Sequence, residues 1–276
     1  MSQTLSLSSN GQKFHALKWE ASDTKAVMCL VHGHGEHIAR YDHVAKFLAE
    51  KGISTIGHDL YGHGKTNFKK GHWPNYDAVM DSIAALIEEA RTSYPDSPIF
   101  LYGHSMGGNL AANFALRRKP DIKGLILSAP WFRLAFKPSS TDLFLAKMML
   151  NIYPSFTQST KLDANAISRD PAEVEKYKND PLVHDLVSPQ MFTSVHQAAQ
   201  WALDHAADLN LPLLHMHGDA DELTSFEASK EFSAKAGGGD VTFQAYPGYF
   251  HEMHNESEEN RKPVLNLLRD WIQGKI

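Results

Sequence analysis

Apolar residues follow two alternating patterns along most of this chain, one typical of buried strands and the other of amphipathic helices. Short apolar runs that lead into polar or glycine-rich loops occur at 25–31, 53–56, 99–102, 124–128, 211–216 and 241–246. Helical spacing lies between these runs, for example from Asn75 to Tyr94, where Val79, Ile83 and Leu86 recur on one face. Strands and helices in alternation predict a mostly parallel central sheet with helices on both faces.

The alternation is interrupted near the N-terminus and again in the middle of the chain. Alternating segments flank Ser9-Asn10-Gly11, which predicts a β-hairpin at the edge of the sheet. No regular rhythm is present at 131–199, and a helix over Gln197–Leu209 is predicted to resume it. We therefore predict one α/β domain in two parts, 1–130 and 200–276, with an inserted cap between them.

The segment around Ser105 joins a predicted strand to a predicted helix through Gly103-His104-Ser105-Met106-Gly107. A G-x-S-x-G sequence in that context is typical of a nucleophile elbow, in which the two glycines allow the strand and the helix to approach closely. The hydroxyl of Ser105 would then project above the sheet. The backbone N–H of Met106, at the start of the helix, would face the oxyanion that develops during acyl transfer.

A serine nucleophile needs a general base and a third group that orients this base. In open α/β sheets such groups gather at the carboxyl ends of the strands. Asp219 and Asp221 follow the predicted strand at 211–216. His251 and His254 follow the last predicted strand, so the chain order is serine, aspartate, histidine, which is the order in α/β-hydrolases.

Five stretches of sequence carry a resemblance to a known family. The chain resembles the monoacylglycerol lipase branch of the α/β-hydrolase superfamily, a group also described as serine aminopeptidase S33-like or lysophospholipase-like. The resemblance extends from residue 31 to residue 256 and implies an α/β-hydrolase fold with an inserted cap and an ester hydrolase without a cofactor or a metal. The stretches are VHGHGEHIARYDHVAKFLAEKGISTIGHDLYGHGKT, LYGHSMGG, SRDPAEVEKYKNDPLVH, HMHGDADELTS and PGYFHEMHNE.

Carried onto this sequence residue by residue, the resemblance implies Ser105 as the nucleophile, Asp221 as the acid and His251 as the base. Asp219 is the rival for the acid, and its alternative role is that of a loop residue. His254 is the rival for the base, with packing or solvent exposure as its alternative.

The resemblance also implies that the oxyanion is bound by the backbone N–H groups of His34 and Met106. The family more often carries an apolar side chain at position 34, and a backbone donor is independent of the side chain. The imidazole of His34 either lies at the acyl pocket, where it would change the preference for acyl chains, or points to solvent beside His37.

Composition and charge exclude some classes of partner and some covalent links. The 276 residues carry a formal net charge of −5, which argues against nucleic-acid binding. Cys29 is the single cysteine, so it forms no intrachain disulfide and is expected in the core.

The chain shows neither a secretory signal nor an 18-residue apolar run, which favours a cytoplasmic protein. The apolar residues of 131–156 suggest that the cap lines an acyl channel and touches membranes. The oligomeric state stays open.

Several alternatives to a monoacylglycerol lipase remain. The same catalytic groups could serve a lysophospholipase, a short-chain carboxylesterase or an S33-type aminopeptidase. The cluster of His32, His34 and His37 resembles a zinc motif of metal-dependent hydrolases, although Glu36 stands where that motif has an aspartate. A relative that binds a ligand without catalysis would usually lack one of the three catalytic groups, and here all three positions are filled.

Overall fold

A computed structural model of the chain describes residues 2–137 and 139–276, in which ten strands are found. Eight of them form one sheet in the order β1-β2-β4-β3-β5-β6-β9-β10, and the two-residue strands β7 and β8 pair separately. The strands are β1 Ser2–Ser9, β2 Gln12–Trp19, β3 Ala26–Val31, β4 Ile53–His58, β5 Ile99–His104, β6 Gly124–Ser128, β7 Gln158–Ser159, β8 Leu186–Val187, β9 Leu213–Gly218 and β10 Val241–Tyr246.

The sheet is parallel from β4 to β10, and only the N-terminal hairpin runs antiparallel to its neighbours. Asn10 and Gly11 join β1 to β2 with φ angles of 51° and 77°. Both residue types tolerate positive φ, which the favoured two-residue hairpin turn requires. The predicted hairpin and the predicted mostly parallel sheet are confirmed.

Helices cover both faces of the sheet. Successive residues of β3 belong to different apolar clusters, with Val27 and Cys29 in one and Met28 and Leu30 in the other, because side chains alternate across a strand. Helices α2, α3 and α6 contribute to the first cluster, and α1 and α8 contribute to the second. The helices are α1 Asp42–Ala49, α2 Tyr76–Ser93, α3 Met106–Arg118, α4 Ser140–Ile152, α5 Pro171–Asn179, α6 Pro189–Asp204, α7 Phe226–Lys235 and α8 Glu258–Gln273.

The connection between β6 and β9 contains α4, α5 and α6. The prediction that a helix begins at Gln197 is wrong, because α6 begins at Pro189 and ends at Asp204. Ser188 caps this helix by accepting a hydrogen bond from the N–H of Met191, and proline is favoured in a first turn because no N–H is needed there. The division of the chain into a core and a cap at residues 131 and 199 stays a prediction.

Two further observations concern the single cysteine and the possibility of a membrane-spanning helix. Cys29 lies fully buried in β3 with a free thiol, and burial raises the pKa of that thiol to about 12. Over the described residues, no helix combines the length and the apolar character that crossing a bilayer requires.

Candidate active site

Ser105 occupies the sharp turn between β5 and α3. Its φ and ψ angles are 54° and −119°, a strained combination for a residue with a side chain. A Cβ atom at Gly107 would lie 2.2 Å from the carbonyl oxygen of Val31, and one at Gly103 would lie 2.3 Å from the carbonyl oxygen of Gly107. Glycine is therefore required on both sides of Ser105 for the strand and the helix to approach each other.

The loop that contains His34 runs alongside this turn. A Cβ atom at Gly33 would lie 3.2 Å from Cβ of Ser105, so the backbone of the loop passes directly beside the serine. Met106 is the first residue of α3, where backbone N–H groups have no partner within the helix. The two N–H groups predicted to bind an oxyanion thus belong to segments that flank Ser105.

Asp221 and His251 are in direct contact. His251 Nδ1 lies 2.6 Å from Asp221 Oδ2, and both side chains are almost completely buried. The other carboxylate oxygen, Oδ1, accepts the N–H groups of Leu223 and Thr224 at 2.7 Å and 3.0 Å. Asp221 can therefore fix both the orientation and the tautomer of the His251 ring.

The electrostatics of this pair follow from burial and from its hydrogen bonds. Burial favours the neutral form of Asp221, yet the charge of His251 and the hydrogen bonds from His217 and His251 bring its pKa well below the ordinary value. Burial also works against a charged His251, but the charge of Asp221 and their hydrogen bond raise the pKa of the imidazole. An ionised aspartate beside a more basic histidine suits a general base.

The ring of His251 also lies next to the elbow. Its centroid is 4.8 Å from that of His104, the residue before Ser105. His254, the rival base, is buried and stacks on Tyr41 with a centroid distance of 4.8 Å and an interplanar angle of 14°. Among the described residues neither ring nitrogen of His254 has a hydrogen-bond partner, and its pKa is lowered by burial and by His104.

Asp219, the rival acid, is exposed at the end of β9. Its carboxylate accepts the N–H of Gly248 at 2.6 Å, and Gly248 belongs to the loop that leads to His251. Asp219 therefore stabilises the loop that leads to His251, whereas Asp221 contacts the imidazole of His251 itself.

A buried charged network that was not predicted from the sequence lies beside the site. Arg40 binds both carboxylate oxygens of Glu252 at 2.7 Å and one oxygen of Glu36 at 2.9 Å. Glu252 follows His251 directly, so Arg40 connects the loop of His251 to the loop of His34. The available signal was the pair of opposite charges four residues apart, Glu36 and Arg40, within a glycine- and histidine-rich segment.

The imidazole of His34 lies among other histidines. Its centroid is 5.7 Å from that of His63 and 6.0 Å from that of His184, so it does not point to solvent beside His37. Burial and the neighbouring His184 lower the pKa of His34 to about 3, and the ring is neutral at physiological pH.

The histidines of the supposed zinc motif turn towards separate partners. His32 places Nδ1 2.8 Å from the carbonyl oxygen of Gly33 and accepts the N–H of Leu60 at Nε2, whereas His37 Nε2 lies 2.8 Å from Asp180 Oδ2. In the part of the chain that the structure describes, no three histidine, cysteine, aspartate or glutamate side chains are arranged to hold a metal ion.

Comparison with known proteins gives consistent results. A sequence model of the family described as "Serine aminopeptidase, S33" matches residues 22–258. The monoacylglycerol lipase of Mycolicibacterium smegmatis is 32% identical over 256 residues, which cover 92% of this chain and 90% of that protein. An uncharacterized abhydrolase domain-containing protein of Dictyostelium discoideum is 33% identical over 91% of this chain, but the chain spans only 26% of its length.

A solved structure also matches the backbone of this chain. The crystal structure of Paleococcus ferrophilus monoacylglycerol lipase superposes with a TM-score of 0.88 at 30% sequence identity, covering 95% of this chain and 99% of that one. The likeness therefore extends over nearly the whole chain, including most of the connection between β6 and β9.

Proposed function

Because the chain belongs to the serine aminopeptidase S33 family of α/β-hydrolases, we propose that it cleaves carboxylic esters of lipids, with monoacylglycerols as its substrates. The substrate is inferred from a relative that is 32% identical over nine tenths of both chains and is named a monoacylglycerol lipase. The observation that carries the mechanism is the hydrogen bond of 2.6 Å between Asp221 and His251 beside a strained serine.

In this mechanism Ser105 Oγ attacks the carbonyl carbon of the ester while His251 Nε2 takes the hydroxyl proton. Asp221 orients His251 and stabilises its charged form. The oxyanion is bound by the backbone N–H groups of His34 and Met106, each of which typically contributes about 2.7–4 kcal/mol to transition-state stabilisation. His251 then protonates the leaving alcohol, which leaves an acyl-enzyme on Ser105, and an activated water molecule releases the fatty acid.

We further propose that the protein meets its lipid at a membrane surface, through a set of exposed aromatic and aliphatic side chains that we call the apolar cap surface. Large exposed apolar patches are typical of interaction sites, and monoacylglycerols reside in membranes rather than in water. Exposed Lys137 and Lys147 lie in the same stretch of chain and would favour anionic lipid. The members of the surface are Phe136, Phe144, Leu145, Met148, Ile152, Tyr153 and Phe156.

A hydrolysis panel with the variant Ser105→Ala tests the proposed function. The panel contains monoacylglycerols of graded acyl length, lysophosphatidylcholine, p-nitrophenyl esters and prolyl-aminoacyl anilides. We expect wild-type turnover to be highest on a monoacylglycerol and to fall by a factor on the order of 10⁶ in Ser105→Ala. Ser93→Ala, which removes a hydroxyl bonded to Glu89 on α2, is the matched control and should retain full activity.

The other outcomes separate the reaction from the substrate. Serine-dependent cleavage that is highest on lysophosphatidylcholine or on short esters would keep the mechanism and replace the substrate. Cleavage confined to the anilides would make the protein a peptidase. Undiminished activity in Ser105→Ala would contradict the mechanism itself.

A further inference from the structure

A second buried histidine, His217, contacts Asp221 beside His251. It lies near the end of β9, and its side chain is completely buried. His217 Nε2 is 3.1 Å from Asp221 Oδ2, the same oxygen that His251 Nδ1 approaches to 2.6 Å. An ionised carboxylate can only accept hydrogen bonds, so two imidazoles donate to one oxygen atom.

The other ring nitrogen of His217 also has a hydrogen-bond partner. Nδ1 is 2.7 Å from Oγ of Ser229 on α7. Because the ionised carboxylate of Asp221 can only accept, His217 donates to it from Nε2–H. The hydroxyl of Ser229, which can donate or accept, holds Nδ1 and so orients the ring of His217 towards Asp221.

His215, two residues earlier on β9, provides an internal comparison. It is also completely buried, and its Nδ1 lies 2.7 Å from Oγ of Ser233, one turn further along α7. Among the described residues its Nε2 has no hydrogen-bond partner. The same histidine–serine pair thus occurs twice between β9 and α7, but only the pair at His217 reaches a charged group, so packing of these elements does not by itself require the contact.

We propose that His217 is a positioning residue whose Nε2–H holds Oδ2 of Asp221 in line with His251 and shares the negative charge of the carboxylate. The inference rests on the proposed function, because it takes Asp221 and His251 as acid and base. Two backbone N–H groups hold Oδ1, and the bond from His217 acts together with the hydroxyl of Thr224 to hold Oδ2. Asp221 is then held in place beside His251, and the negative charge of its carboxylate acts less strongly on the imidazole of His251.

The direction of the effect on the base follows from the charges around it. Burial lowers the pKa of His251, whereas Asp221, Glu252 and Glu36 raise it. His104 stands 4.8 Å away, and burial and His251 lower its pKa to about 3, so it is neutral.

The titratable neighbours of His217 itself are Asp221 and His215, which is neutral because burial lowers its pKa. The hydrogen bond from His217 stabilises the charged carboxylate of Asp221 most when His251 is neutral. This bond therefore disfavours protonation of the pair formed by Asp221 and His251. Its removal should raise the pH at which the pair becomes protonated.

Three substitutions test this role. His217→Leu removes the donor, His217→Gln retains an amide N–H that can reach Asp221, and His215→Leu removes a buried imidazole that lacks this contact. For His217→Leu we expect kcat to fall by roughly tenfold to a hundredfold with little change in KM. We also expect the acidic limb of its kcat/KM profile to move up by about half a pH unit. His217→Gln should lie close to wild type, and His215→Leu should leave the profile unshifted.

Ser229→Ala covers the case in which His217→Leu does not fold, because it removes only the hydroxyl that orients the ring of His217 and should move the acidic limb in the same direction by less. The downfield proton resonance of the hydrogen bond between His251 and Asp221 should shift in His217→Leu and stay in place in His215→Leu. An unchanged kcat, acidic limb and resonance in His217→Leu would overturn the inference, as would equal losses in His217→Leu and His217→Gln without a shift. These results, with Ser105→Ala inactive, leave the proposed function standing; an active Ser105→Ala overturns both.

Discussion

At the scale of single residues, the ionisation of Asp221 depends on the donors that surround it. Burial alone would favour the neutral carboxyl. The carboxylate instead accepts N–H groups from Leu223 and Thr224, lies 2.9 Å from the hydroxyl of Thr224, and contacts both His217 and His251. The charge that stabilises a protonated His251 therefore exists because the backbone after β9 turns back onto Asp221.

The two aspartates at the end of β9 make a direct test at this scale. We expect Asp221→Asn to lower kcat by about 10⁴, because an amide fixes the wrong tautomer of His251. Asp219→Asn should retain activity within about tenfold, since it weakens only one hydrogen bond to the loop at Gly248. Steady-state kinetics on the same ester substrate decide the matter, and a larger loss in Asp219→Asn would overturn the assignment of the acid.

The pH profile of these variants provides a second readout. Because the base must be neutral to accept the serine proton, we expect the raised pKa of His251 to place the acidic limb of wild-type kcat/KM above the ordinary histidine value of 6.5. Activity is therefore lost as the pH falls through this raised pKa. In Asp221→Asn the limb should move to lower pH, and in Asp219→Asn it should stay where it is.

At the scale of structural elements, the loop before the 3₁₀ turn Ile38–Tyr41 is held in shape by Glu36. Glu36 Oε1 accepts the N–H of Gly33 at 2.6 Å and the hydroxyl of Tyr41 at 2.8 Å, while Oε2 binds Arg40. One side chain thus fixes the loop that would present the N–H of His34 to the oxyanion.

The substitution Glu36→Ala should therefore lower kcat by about a hundredfold with a smaller effect on KM, since a displaced oxyanion donor acts mainly in the transition state. Tyr41→Phe removes one of the three bonds and should cost less. Asp42→Ala is the matched control, because Asp42 in the next turn contacts Trp19 and Lys46 instead of the loop. Folding is followed by thermal denaturation, as the loss of a buried ion-pair partner costs about 3–5 kcal/mol. A kcat within threefold of wild type in a folded Glu36→Ala would contradict this role.

At the scale of the whole molecule, the connection between β6 and β9 contains two parts with different surroundings. The segment after α5 is tied to the loop beside Ser105, because Asp180 contacts His37 at 2.8 Å and the N–H of His184 donates to the carbonyl oxygen of Gly35 at 2.9 Å. The α4 part instead presents the apolar cap surface to solvent.

The apolar cap surface leads to a prediction about membranes. Wild-type protein should co-sediment with phosphatidylcholine vesicles, more strongly when these contain anionic lipid. The side chains of Phe144 and Ile152 are 66% and 69% exposed, and replacing either with serine should weaken vesicle binding by about tenfold. Ile276→Ser, at an apolar residue that is 55% exposed outside the cap surface, is the matched control. Equal binding by all four proteins would exclude the cap surface as the contact.

The sequence was most informative where backbone geometry restricts the residue type. The two glycines around Ser105 and the turn at Asn10 and Gly11 identified the elbow and the hairpin, because few other residues fit there. The start of α6 was missed because the sequence shows no regular rhythm at 131–199, although Pro189 is the first residue of that helix. The contact of His217 with Asp221, four residues further along the chain, was not predicted, since it depends on how the backbone turns after β9.

Cys29 has a practical consequence for experiments on the protein. Its thiol is completely buried and, with a pKa of about 12, is protonated at the pH of ordinary labelling reactions. Since it is the only cysteine in the chain, a cysteine introduced on the exposed side of α4 would be the single reactive thiol of the folded molecule. A fluorophore or spin label could therefore report on α4 alone, with no need to remove a native cysteine first.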